Sequence, residues 1–143
     1  MQTICDPYFD TNRCVLRLKK WYDGHKTLIV AFDWDDTCHD YHNKGYEYSQ
    51  VMTLLKECSH LGFTLILFST NEDDLKLESI CEYLQAEQGI KVHLINEGPI
   101  MQSARKPYYN VLLDDKAGLG QGYNTLRTVV NLIKQERGEN EVD

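Results

Sequence analysis

TLIVAFDWDDT, residues 27–37, decides how the chain is read. Thr27 to Phe32 form a short run without the polar alternation of a half-solvated strand. Such a run describes a strand covered on both faces, as strands in parallel sheets are. Phe63 to Phe68 (FTLILF) has the same character, and weaker strands are expected at Val92 to Ile95 and Val111 to Leu113. Three helical stripes lie between and after them: Val51, Leu54, Leu55 and Cys58; Leu77, Ile80, Cys81 and Leu84; Leu126, Val129, Val130 and Ile133. Each has the spacing i, i+3, i+4, i+7, which is one face of a helix. Gly62, Gly89 and Gly138 fall where each helix should stop.

Buried strands alternating with amphipathic helices predict an α/β domain, a Rossmann-like three-layer sandwich with a mostly parallel central sheet. The 143 residues make one domain. Residues 1–24 form an N-terminal extension with a short helix over Thr11 to Tyr22, ended by Gly24. Val15, Leu16 and Leu18 are expected inward, with Arg13, Arg17, Lys19 and Lys20 outward. The acidic tail, residues 139–143, is expected to fray.

Composition narrows the function. Apolar residues at 42% and charged residues at 26% are globular values, so a disordered or fibrous chain is excluded. Fifteen basic against twenty-two acidic residues leave a net charge of −7. That balance argues against broad duplex binding, which needs a basic face. Five scattered cysteines, an odd number without a short CxxC pair, predict reduced thiols in a cytoplasmic protein, most of them core fillers. No apolar run approaches the roughly 18 residues of a membrane span, and residues 1–10 do not read as a secretory signal.

In open parallel sheets, ligands bind beyond the carboxyl ends of the strands. Asp33, Trp34, Asp35, Asp36 and Thr37 come after the first strand; Ser69, Thr70 and Asn71 after the second; Asp114 and Asp115 after VLL, with Arg105 and Lys106 shortly upstream. Carboxylates gathered this closely repel one another unless a cation sits among them. Oxygen ligands without a His or Cys partner select a hard ion such as Mg²⁺.

IVAFDWDDT, LILFST, the lysine of RKPYYN and LLDDKAG, in that order, resemble the haloacid dehalogenase superfamily of phosphohydrolases over Thr27 to about Gly118. The resemblance implies a haloacid-dehalogenase-like fold and a Mg²⁺-dependent phosphatase. Asp33 would be the nucleophile that becomes an aspartyl-phosphate, and Asp35 the general acid and then base. Ser69, with Thr70 as the alternative, would hydrogen-bond a phosphoryl oxygen, and Lys106 would neutralise charge. Asp33, the backbone carbonyl of Asp35 and Asp114 would hold the metal, with Asp115 behind them or bound through water. Asp36 stands where family members usually carry a small residue, often glycine. Its side chain is expected to face solvent, to cap the following turn or to narrow the entrance.

Neither of the family's two insertion points has room for a cap domain. An open site suits a large substrate, or a small one covered by a neighbouring subunit of a homo-oligomer. Residues 38–48 (CHDYHNKGYEY) would form a flap whose His39, His42, Lys44 and tyrosines could stack on a base or bind a sugar. With Arg105 as further phosphate contact, the expected partner is a phosphorylated small molecule, a nucleotide or a nucleic-acid end. The alternatives are a non-catalytic phosphate-binding or assembly module of the same fold and a phospho-accepting receiver. In a receiver the acidic pair precedes the acceptor aspartate, whereas here the pair comes late.

Overall fold

Val30, Ala31 and Phe32 are all fully buried, as are Leu65, Ile66 and Leu67. Successive side chains of a strand point to opposite faces, so three buried in a row mean that both faces of the sheet are closed. These residues lie on β1 (Ile29–Asp33) and β2 (Thr64–Phe68). In the computed structural model, which describes residues 9–99 and 107–138, the remaining strands are β3 (Leu94–Ile95) and β4 (Val111–Leu113). All pairings are parallel, in the order β3-β2-β1-β4. Helices α1 (Thr11–His25), α2 (Ser49–His60), α3 (Asp74–Gln88) and α4 (Leu119–Arg137) flank the sheet. The chain is an α/β protein with the arrangement of a Rossmann-like three-layer sandwich.

The helical stripes bury as their spacing predicts. Leu54, Leu55 and Cys58 of α2 and Leu126, Val129, Val130 and Ile133 of α4 are wholly inaccessible. A fully buried aliphatic side chain contributes about 1.5–3 kcal/mol, so these stripes hold the helices on the sheet. Cys81 departs from its stripe and is only partly buried. Asp73 caps α3 by accepting the N–H groups of Leu75 and Lys76, and Gly89 and Gly138 end α3 and α4 in the left-handed conformation. Gly62 comes directly after Leu61, which ends α2.

Three expectations for the N-terminal helix are corrected. Gly24 does not break it. With Asp10 accepting from the N–H groups of Asn12 and Arg13 at its start, α1 continues to His25 and stops at Lys26, whose φ is 62°. Leu16 is exposed; the inward face is Val15, Leu18 and Tyr22, because Leu16 stands about 100° round the helix from Val15. Lys19 is mostly covered, its ammonium held between Asp23 at 2.6 Å and Glu136 of α4 at 2.8 Å. Cys38 and Cys58 are buried thiols, while Cys14 and Cys81 are partly exposed. The first strand begins two residues later than expected and the third shrinks to Leu94–Ile95.

The topology places one crevice at the functional end. From β1 the chain steps outward through β2 to β3 and then returns past them to β4, on the other side of β1. The strand order reverses there, at the β1/β4 boundary, which is where open α/β sheets bind ligands. Asn110 sets the register at the opposite end: its backbone N–H donates to Ile29 O, and its Oδ1 accepts from Ile29 N, both at 2.8 Å.

Candidate functional site

Phe32 pairs with Leu113 across the β1/β4 boundary, so the next residues, Asp33 and Asp114, leave the sheet side by side. Asp115 joins them. Each of the three offers a carboxylate oxygen within 4.8 Å of the others. Among the described residues no lysine or arginine forms an ion pair with any of them. The cost falls on Asp33. Burial, the charge of Asp114, and then a proton shared with Asp115 and that group's charge push its carboxyl up from 3.8 to about 7, against the opposing Trp34 N–H bond.

The loop beyond β1 is tied to the loop beyond β4 by Thr37. This fully buried hydroxyl accepts the N–H of Asp115 at 3.0 Å and lies 3.2 Å from that residue's Oδ1 as donor. A second tie fixes the end of β2. Asn96, just past β3, accepts Ser69 N–H at 2.8 Å and donates its amide to Ser69 O at 2.9 Å. Ser69 Oγ in turn accepts the N–H of Asn71 at 3.1 Å. Gly98 lets this segment approach the stretch of chain that leads into β4, because a Cβ there would lie 2.8 Å from Tyr108 N.

These ties surround a cleft of about 300 Å³ lined by Asp33, Phe68, Ser69, Thr70, Asn96, Pro107 and Asp114. Four of the residues singled out in the sequence therefore converge on one cavity: Asp33, Ser69, Thr70 and Asp114. Asp115 faces the same carboxylate cluster. The side chain of Asp35 is outside that cluster and does not line the cleft. His39 does not line it either; it stacks on Trp34 with ring centroids 5.5 Å apart and helps form a neighbouring hollow. Lys106 and Arg105 lie outside the described residues. Sequence reasoning misses Asn96 and the tie made by Thr37. The signal for Asn96 is its place: it stands directly after β3 as Ser69 stands after β2 and Asp114 after β4.

Asp36 does not face solvent. Its φ is 59°, the left-handed region that favours glycine, and its side chain is 17% exposed. Oδ2 pairs with His42 Nδ1 at 2.5 Å, while Oδ1 is buried without a partner. Asp40 folds the next turn, accepting Lys44 N–H at 2.9 Å and Gly45 N–H at 2.7 Å. Residues 38–48 thus make a loop braced from within, with Tyr41 and Tyr46 exposed on it.

The donor set fits a hard divalent cation. It is oxygen only, three carboxylates share one small volume, and the half-buried member resists ionisation in the cation's absence. Among the described residues no helix is long and apolar enough to cross a membrane. No family model and no curated protein matches the chain. Among solved structures, a conserved protein coded by a locus of Bacteroides thetaiotaomicron is similar. It is 26% identical with a TM-score of 0.55, over 71% of this chain and 91% of that one.

Proposed function

We propose that the chain is a Mg²⁺-dependent phosphomonoester hydrolase of the haloacid dehalogenase type, working through an aspartyl-phosphate on Asp33. The observation that carries this reading is the convergence of Asp33, Asp114 and Asp115 with Ser69 at the carboxyl ends of adjacent parallel strands, around a single cleft.

Asp33, Asp114 and Asp115 would hold the ion, which supplies positive charge against the anionic ester and keeps Asp33 ionised. A carboxylate oxygen of Asp33 attacks phosphorus while the ester P–O bond breaks. Asp35, two residues on in the same loop, does not line the cleft as it stands and would give the leaving oxygen its proton on turning into it. It then takes one from the water that hydrolyses the aspartyl-phosphate and frees inorganic phosphate. General acid help of this kind contributes roughly 10²–10⁴-fold. Ser69 donates its hydroxyl to a phosphoryl oxygen, with its backbone held rigid by Asn96. Lys106 supplies the further cation. A cytoplasmic setting with reduced thiols belongs to the same reading.

The test is phosphate release from an aryl phosphate by the purified chain, with and without Mg²⁺. Turnover should require the ion and fall at least 10³-fold in Asp33→Asn. Activity undiminished by Asp33→Asn excludes the proposal. Binding of phosphate or a metal-fluoride mimic without turnover across a wide substrate panel transfers the site to a non-catalytic phosphate-binding module.

A further inference from the structure

Beside the carboxylate cleft lies a wider hollow of about 680 Å³. Asp33 lines the first cavity and the adjacent Trp34 lines the second. The hollow is walled by rings. Trp34 and His39 lie nearly parallel, 9° apart, and Tyr83 of α3 meets Trp34 edge-on at 6.2 Å. Tyr48 lines the rim where α2 begins. Gln88 is fixed by donating its amide to the Tyr83 hydroxyl at 3.0 Å. Lys56, on the exposed side of α2, is the hollow's cation, and it forms no ion pair among the described residues.

We propose that this hollow is the leaving-group subsite of the site described above and takes a nucleoside, its base against the Trp34, His39 and Tyr83 rings. The inference rests on the phosphohydrolase reading for the position of the phosphate. The cleft at Asp33, at about 300 Å³, takes the phosphoryl group, and the hollow has more than twice that volume. The hollow is within the range of roughly 300–1,000 Å³ typical of small-molecule sites. Its ring faces suit an aromatic base, whereas a glycerol leaving group has no ring to lay against them. Asp40, the carboxylate on the wall, is engaged by the Lys44 and Gly45 N–H groups.

The hollow also continues. A second cavity of about 350 Å³ shares Lys56 and Gln88 with it and adds His60 and the ion pair of Lys134 with Glu57. A mononucleotide fills the first hollow alone. An oligonucleotide end would bring a second phosphate to Lys56, so the same base chemistry can come from either source.

The chain has two tryptophans, Trp21 and Trp34. In Trp21→Phe, Trp34 is therefore the reporter. With Asp33→Asn added to prevent turnover, adenosine 5′-monophosphate should quench its fluorescence saturably, and glycerol 1-phosphate should not. In the native chain with Mg²⁺, kcat/KM for adenosine 5′-monophosphate should exceed that for glycerol 1-phosphate by about tenfold or more, the size of one stacked base. His39→Ala and Tyr83→Ala should each shrink that ratio by about threefold or more. Equal turnover of the two esters overturns the subsite while leaving the hydrolase reading intact. Saturable quenching without hydrolysis of either ester upholds the subsite and removes the hydrolase. Absence of quenching together with a ratio near one refutes the nucleoside outright. A dinucleotide with a 5′-phosphate binding tenfold tighter than the mononucleotide, an advantage lost in Lys56→Ala, identifies a nucleic-acid end. Equal binding identifies the free nucleotide.

Discussion

Replacing Asp33 by asparagine should make the metal-free protein more stable at pH 8, although it removes the group on which catalysis is proposed to depend. The carboxyl of Asp33 sits at about 7 instead of 3.8, so above neutrality folding forces a charge into a site that resists it. A shift of that size is about 4 kcal/mol if fully felt. Asp33 is only half-buried, and solvent screening reduces the penalty to about 2 kcal/mol. Asparagine removes the charge, keeps an oxygen for the Trp34 N–H and offers an N–H to Asp115 where the shared proton stood. For a domain of this size about 2 kcal/mol corresponds to roughly 4–8 °C in Tm. Linkage gives the sign. The folded-state pKa is raised, so the wild type is unpenalised below about pH 4 and loses stability as pH rises through 7. Thermal unfolding in EDTA should show the variant ahead by that margin at pH 8 and level with the wild type near pH 4. Millimolar Mg²⁺ should then raise the wild type more than the variant, because ligand binding to the folded state adds stability by mass action. An asparagine variant no more stable than wild type at pH 8 in EDTA refutes the claim that burial and the neighbouring carboxylates resist the charge of Asp33.

The ties around the cleft give further tests. Thr37→Val removes a buried hydroxyl bonded to Asp115 N and Oδ1, and should cost about 1–3 kcal/mol in urea unfolding, with Thr37→Ser recovering most of it. Asn96→Ala frees the Ser69 backbone; kcat/KM for an aryl phosphate should fall by about tenfold or more while the far-UV circular dichroism is retained. Asp36→Gly relieves a left-handed backbone and an unpartnered carboxylate oxygen. It should stabilise the chain by about 1 kcal/mol despite losing His42, and a destabilised variant would mean that the His42 pair dominates.

Periodicity carried most of the architecture. The continuous runs at β1 and β2 announced strands buried on both faces, and the stripes of α2 and α4 buried as spaced, because hydrophobic burial depends on which side of an element a residue occupies. It failed where neighbours compete with local preference. Lys19 is drawn inward by two carboxylates, one of them 117 positions away, and Gly24 is carried within a helix whose face is anchored by Tyr22. Neither Glu136 nor the packing around Tyr22 is visible from residues 11–25.

For the site, the sequence alone determined that acidic residues and a hydroxyl come after the strands, since that is a matter of order along the chain. Only the tertiary structure decided which of them meet. The order β3-β2-β1-β4 sets Asp33 beside Asp114 although 81 positions separate them. It puts Asn96 on Ser69 and Thr37 on Asp115, and turns His39 and Trp34 away to a second cavity. Strand pairing fixes neighbours through backbone hydrogen bonds that any side chain permits, so the residues at the strand ends do not encode who stands next to them.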